Sequence, residues 1–501
     1  MTLPVPPAEQ SVAAEEREAE LPWLRLDKRM LLIHPVNEVV RLAPALILAV
    51  LLGSRSGNHA WGLIGLAIVV GAAVLRWFTT TYRIGPVHIE LRSGLFQRRR
   101  LSVPRSRIRS IDVESTVLHR LLGLAVIRID TGQQASGDEA FRLNALDARA
   151  VPPMRAALLR TAAPAETDTP VPAGIEVARF SPAWVRYAPL SFTGVAIVAP
   201  IAGLAVQFGA VQWLAESDAV SGGVESARSI GLPIAITVGV IAALALLSVL
   251  ACAGYLIRWG RLRVIDDGRT LHCESGLLTT RAMTLDRDRL RGATVAEPLL
   301  LRAVGGAELE AIMTGGHRQA KLIPQSPRGE VERVMHHLLG SARQYTAPLV
   351  GHGPVAARRR MTRAVAPVLL LAAGLLLAGR YGATIPWSAW VGIAVLLVGA
   401  VALAIDRYRG LGHAVLGGDR RWLITRSGSL YRDRDCVEAN GIVGWTVRQT
   451  FFQRRAGVAT VCAATAAGKG RYDVIDLPEA GAWELIEDVQ PGAGDIWARR
   501  T

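Results

Sequence analysis

The chain has 501 residues, half of them hydrophobic and only one in five charged, and its mean hydropathy of +0.28 is rare for a soluble globular protein of this size. The formal charge is +15, and 54 of the 57 basic residues are Arg, with only Lys28, Lys321 and Lys469 as Lys, a ratio that points to coding bias before phosphate chemistry. Four cysteines, Cys252, Cys273, Cys436 and Cys462, form no C-x-x-C pair, which excludes a disulfide framework and a metal knuckle and fits a reducing compartment.

In chain order, residues 1–41 form a cytoplasmic N-terminal segment whose first twenty residues, acidic and rich in Ala, Glu and Pro, lack the basic-then-apolar pattern of a signal peptide. Long uncharged stretches then occur in pairs, each pair followed by about eighty mixed residues, as in a unit used three times. The predicted order is a transmembrane hairpin at 42–78, a polar domain at 80–160, a linker at 161–186, a hairpin at 187–257, a domain at 258–340, a linker at 341–363, a hairpin at 364–405, a domain at 406–490 and a tail at 491–501. The middle pair is clearest, with 29 uncharged residues between Arg186 and Glu216 and 29 between Arg228 and Arg258, longer than the roughly 20 a bilayer requires. The first pair is interrupted by Arg55, which leaves a re-entrant hairpin as its alternative.

Arginines cluster before the first and after the second stretch of each pair: Arg358, Arg359, Arg360 and Arg363 precede the third pair, and Arg407 and Arg409 follow it. The connecting turns carry few basic residues, so the positive-inside rule predicts a multi-pass membrane protein with the termini and all three polar domains cytoplasmic. Seven of the twelve Trp residues lie at or near the expected span ends.

Repetition is strongest inside the polar segments. Gly94 and Gly123, Gly276 and Gly305, and Gly428 and Gly457 are each 29 residues apart, and Arg120, Arg302 and Arg454 stand at one offset in the three intervals. Period-2 alternation such as Val87, Ile89, Leu91, bounded by Ser-Gly turns, predicts strands, and helical spacing at Val331, Val334, Met335, Leu338 predicts a closing helix. The expected fold class is therefore a multi-pass α-helical membrane protein with three cytoplasmic β-sandwich or barrel domains, each closed by a C-terminal helix.

The segment YRIGPVHIELRSGLFQRRRLSVPRSRIRSIDVESTVLHRLLGLAVIRIDTG resembles the bacterial membrane-flanked domain with a PH-like fold, and three copies behind paired spans resemble YdbT-like proteins. Pro104 and Ile108, then Arg120 and Gly123, carry the motif in copy one; copy two has Asp286 in place of Pro104, and copy three departs most, with Cys436 and Glu438 in the same region. The resemblance implies a PH-like fold, a role at the cytoplasmic membrane surface and a context of envelope maintenance or resistance to membrane-active agents. It brings no catalytic residues.

Arg98, Arg99 and Arg100, then Arg105, Arg107 and Arg109 in copy one, and Arg287, Arg289 and Arg291 in copy two, form the candidate binding set. Arginines at every second residue would share a strand face suited to anionic lipid headgroups or an acidic partner; the plainer alternative is a solvated face. Copy three has Ala439, Gly441 and Val443 at those offsets. Recurrence of Arg120, Arg302 and Arg454, and of the six glycines, indicates a turn or local ion pair in every copy. No H-E-x-x-H, G-x-S-x-G or P-loop occurs, so neither catalysis nor a metal or cofactor is expected, and strands without stacking aromatics argue against nucleic acid. The expected function is non-catalytic: PH-like domains binding the membrane surface or a protein partner, with the bilayer and a small membrane-flanked PH-like companion as partners. The alternatives are an accessory to transport or export, and a structural subunit of a hetero-oligomer with that companion.

Overall fold

The computed structural model describes residues 21–30, 78–85, 87–93, 99–105, 110–130, 141–147, 174–190, 232–315 and 319–493, with single positions between 71 and 154. The expected hairpin at 42–78 falls almost wholly outside them, as do most of the first helix of the hairpin at 187–257, Gly94, Arg98, Arg107 and Arg109. Contacts divide the chain into two compact units, Met1–Glu176 with Ile257–Asp288, and Val177–Leu256 with Arg289–Thr501.

In the first unit, β1 (Leu24–Arg25), β2 (Thr81–Ile84), β3 (His88–Ser93) and β4 (Arg99–Pro104) form an antiparallel sheet in that order. Next come β5 (Ser110–Ser115), β6 (Leu124–Asp130) and β7 (Phe141–Asp147) of the first copy, and β9 (Arg263–Asp266), β10 (Thr270–Ser275) and β11 (Thr280–Asp286) of the second; β8 (Ile175–Arg179) lies between them in sequence. These strands run β7-β6-β5-β11-β10-β9, so one copy's later strands continue into the next copy's earlier strands. Alternation along β3, β4, β6 and β7 turns Ile89, Val103, Ile127, Ile129 and Leu143 into one core.

The second unit repeats this design. Strands β12 (Leu290–Pro298), β13 (Gly306–Met313) and β14 (Gln319–Pro327) join β15 (Gly412–Leu416), β16 (Trp422–Gly428) and β17 (Tyr431–Glu438) in the order β14-β13-β12-β17-β16-β15. A last sheet holds β18 (Ile442–Arg448), β19 (Val458–Thr465) and β20 (Arg471–Pro478). The helix Glu479–Val489 closes the third copy by burying Ala482, Leu485, Ile486 and Val489 against Leu423, Val437, Val461 and Val474. Its burial spacing of three and four is the amphipathic stripe that such a helix requires.

The five repeated glycines among the described residues are turn residues. Gly276 and Gly428 have φ of 106° and 101°, and a Cβ there would meet the carbonyl oxygens of Thr279 and Tyr431 at 1.9 and 2.0 Å; only glycine fits. Gly123, Gly305 and Gly457 end three five-residue helices, Val117–Leu121, Leu299–Ala303 and Phe451–Arg455, and each donates its N–H to the carbonyl of Arg120, Arg302 or Arg454 at 3.1–3.2 Å.

The expected multi-pass α-helical class is corrected. Among the described residues the protein is β-rich with four sheets, and two helices there are long and apolar enough to cross a membrane, α1 (Gly353–Arg380) and α2 (Trp387–Arg409). The expectation gave weight to mean hydropathy, which strands of the polar domains also raise: β19, Val-Ala-Thr-Val-Cys-Ala-Ala-Thr, is uncharged and largely buried. The segment 341–352, read as a plain linker, is tied down. Arg434 donates to the carbonyls of Gln344 and Ala347 at 3.1 and 2.9 Å, and Val350 and His413 exchange backbone hydrogen bonds.

Candidate basic site at the foot of the helical hairpin

The arginines singled out from sequence do not converge. Residues Arg287–Arg289 form a 3-10 turn between β11 and β12, and Ala439–Gly441 does the same in copy three, so in these two copies the alternation is not one strand face. Arg287 pairs with the buried Asp266, the carbonyl of Arg289 accepts from the Thr314 N–H at 3.0 Å, and Arg291 lies 3.6 Å from the buried Glu438. In copy one Arg99 stands in β4 opposite Ser93. Arg100 shares Glu90 with the buried Arg83, at 2.5 Å from its Nη2, and half-buried Arg105 donates to the Gly85 carbonyl at 3.3 Å. Arg120 donates to the carbonyls of Leu277 and Leu278 at 3.2 Å, Arg302 pairs with Asp406 at 3.0 Å, and Arg454 is exposed beside its turn. The recurrent Arg thus keeps one backbone turn in each copy while its side chain serves different neighbours.

A different set does converge, where α1 and α2 meet the third copy. The first turns of α1 are held by a clamp built on Asp476, which is fully buried and has a φ of 60°, an uncommon backbone state for a residue other than glycine. Its Oδ1 accepts from Arg359 Nε at 3.0 Å and from Gln453 Nε2 at 2.9 Å, and its Oδ2 lies 3.3 Å from Arg360 Nη1. Next to it, His352 Nδ1 is 2.7 Å from the Ile475 carbonyl and Nε2 is 2.9 Å from His413 Nδ1. A carbonyl only accepts, so His352 carries its proton on Nδ1 and His413 donates to His352 Nε2. Burial, and for His413 also the neighbouring His352, pushes both imidazoles below the ordinary histidine value, His413 to about 4. Both rings are therefore largely neutral near pH 7.

Around this clamp Arg360, Arg363, Arg407, Leu411, Ser427, Gly428 and Ile475 line a cavity of about 260 Å³. Arg360 and Arg363 are three residues apart on α1, so they share a face; Arg407 reaches the cavity from the last turn of α2. Of the three, Arg360 is bound to Asp476, and no carboxylate partner is found for Arg363 or Arg407 among the described residues. Asp406, the acid next to Arg407, is engaged elsewhere, by Ser429 at 2.7 Å, Arg432 at 2.9 Å and Arg302 at 3.0 Å. The cavity is therefore net cationic, with a hydroxyl at Ser427, and its size suits a small anionic group such as a phosphodiester rather than a larger ligand.

Beyond this foot, α1 and α2 expose Leu369, Leu370, Leu376, Leu377, Val395, Leu396 and Val398. A continuous apolar surface of this kind is not stable in water. Sequence had marked Arg360, Arg363 and Arg407 only as charges flanking an apolar stretch; their meeting at one cavity needs the hairpin to fold back.

The model of the Bacterial PH domain family matches residues 36–161, 218–342 and 366–488, and the chain belongs to that family. No curated protein and no solved structure matches it.

Proposed function

From the premise of three bacterial PH domains in one chain, we propose that the protein is a non-catalytic membrane-surface module, with α1 and α2 seated in the bilayer and the cavity at their foot holding the phosphodiester of an anionic lipid. The observation that carries this reading is the convergence of Arg360, Arg363 and Arg407 on one cavity at the end of two exposed apolar helices. A basic pocket at the junction of apolar helices and a cytoplasmic domain suits an anionic headgroup, and each cation contributes about 1 kcal/mol near such a surface.

The charge distribution supports a cytoplasmic foot. Arg358, Arg359, Arg360 and Arg363 lie in the first turns of α1 and Arg407 and Arg409 end α2, while the opposite end carries Arg380, the last residue of α1, alone, the bias that keeps the basic side inside. Trp387 and Trp390 stand near the opposite, turn-side end, where an indole prefers the headgroup region.

The test is thermal unfolding of the full chain in a neutral detergent with added phosphatidylglycerol or phosphatidylcholine. Binding to the folded state raises the midpoint with ligand concentration, so the reading requires a rise with phosphatidylglycerol that the Arg363→Gln, Arg407→Gln variant loses. Equal shifts with both lipids, or an unchanged rise in the variant, contradict it.

A further inference from the structure

The three copies are joined by one junction used twice. In the first unit β11 of copy two pairs with β5 of copy one, Thr280 opposite Ser115 and Ala282 opposite Val113. In the second unit β17 of copy three pairs with β12 of copy two, Tyr431 opposite Pro298 and Val437 opposite Gly292. Counted from the repeated glycines Gly94, Gly276 and Gly428, the first junction matches offset four to offset twenty-one and the second matches three to twenty-two, which is the same antiparallel register. The third strand of each later copy is therefore built to lie on the fourth strand of the copy before it.

That rule leaves two ends. The third strand of copy one, β4, is the edge of its sheet, and the fourth strand of copy three, β18, is the edge of the last sheet, each bonded on one side only among the described residues. Comparing β18 with β12 shows what the missing neighbour does. Ala293, Thr294, Val295 and Ala296 of β12, under a partner strand, are at most 1 % exposed, whereas Val443 of β18 is 75 % exposed and Thr446, at the offset of Thr294, is exposed. Both strands carry the same register shift, between Leu290 and Gly292 and between Ile442 and Gly444. At Gly292 a Cβ would meet the carbonyl oxygen of Cys436 across the junction at 1.9 Å, whereas around Gly444 there is open space. Copy three thus keeps glycine where a following strand would come that close.

We propose that β18 of one chain docks on β4 of a second copy of this chain, repeating the internal junction between molecules. A second copy is the occupant because it presents the missing third strand, with Val103 at the offset of Val437, the residue that faces Gly292 in the internal junction. The register then sets Val103 opposite Gly444, Leu101 opposite Thr446 and Arg99 opposite Arg448. Main-chain hydrogen bonds supply the attraction, as in strand addition generally, and the contact is head-to-tail, so it builds a ring or an open row. The Arg99–Arg448 position is its weak point. The corresponding position of the first internal junction holds Arg281 and Glu114, paired at 3.3 Å, whereas like charges opposite each other weaken strand pairing.

The experiment is disulfide cross-linking of the full chain in proteoliposomes after Arg99→Cys and Arg448→Cys, with Arg99→Cys and Thr446→Cys as a pair displaced by two residues. The proposal requires a ladder of linked species from the first pair well above that from the second. In a separate preparation Arg448→Glu, which recreates the Arg281–Glu114 charge pair, tightens self-association about fivefold. Equal linking by both pairs, or no gain from Arg448→Glu in chains that retain the wild-type melting midpoint, overturns the proposal. Linking to a different polypeptide in native membranes, with none between purified chains, also overturns it and assigns the edge to a separate partner.

Discussion

Arg287, Arg289 and Arg291 are neighbours in sequence and serve separate ends: Arg287 and Arg291 are directed at carboxylates and the carbonyl of Arg289 holds a backbone turn. Arg360, Arg363 and Arg407 come from two helices and line one cavity. The difference lies in the counter-charges. Asp266 and Glu438 are buried acids that require a cation beside them, whereas the acids nearest the hairpin foot, Asp476 and Asp406, are taken up by Arg359, Arg360, Gln453, Arg302 and Arg432. Arginine density along a chain therefore says little about where charge is available to a ligand; the distribution of buried carboxylates decides it.

The largest effect that would break this contrast is at Asp476. Asp476→Ala leaves Arg359 buried without its carboxylate, and breaking a buried pair in this way costs about 3–5 kcal/mol. Denaturant unfolding of the full chain should show that loss in the third copy, and a change below about 1 kcal/mol would mean that Asp476 does not hold the hairpin. Next in size, Arg363→Gln with Arg407→Gln removes two cations worth about 1 kcal/mol each, or about thirtyfold in affinity for phosphatidylglycerol. Unfolding stability should stay close to wild type, because neither side chain has a carboxylate partner among the described residues.

The opposite pattern is expected at Arg287→Gln. Asp266 loses its cation but keeps the N–H of Gly268 at 2.8 Å, so stability falls by about 1–3 kcal/mol, and lipid affinity measured in the same titration does not move. A loss of lipid affinity here would restore the region around 287–291 as a binding face. The smallest effect is with pH. His352 and His413 are held below the free histidine value of about 6.5, so the unfolded chain takes up protons first as pH falls. Stability is complete above about 6.5 and declines as pH falls toward about 4, and His413→Gln should flatten that slope in melting curves recorded across the window.

What sequence made legible is what repeats locally. The 29-residue glycine interval and Arg120, Arg302 and Arg454 marked a turn that recurs with the same hydrogen bond, and period-2 alternation located strands such as β3 and β6. Pairing between copies left no such mark, since nothing in β5 or β12 says that its neighbour is a strand more than 130 residues later. The 3-10 turn at Arg287–Arg289 was read as strand because alternation of Arg with other residues looks the same in either conformation. Hydropathy failed differently: it registers apolar residues without separating a buried strand from a membrane helix. The clamp was invisible because Asp476, Arg359 and Gln453 come from a strand, a long helix and a five-residue helix, and only the folded third copy brings them within 3.0 Å.

The most direct test sets the two regions against each other in one assay. The full chain is placed in nanodiscs of phosphatidylcholine containing a minor fraction of phosphatidylglycerol, and retained lipid is identified by native mass spectrometry for wild type, for Arg363→Gln with Arg407→Gln, and for Arg287→Gln with Arg291→Gln. Phosphatidylglycerol is expected to stay with wild type and with the second variant and to be lost from the first. Retention in the first variant, or equal loss from both, would contradict the assignment of the hairpin foot as the anionic-lipid site.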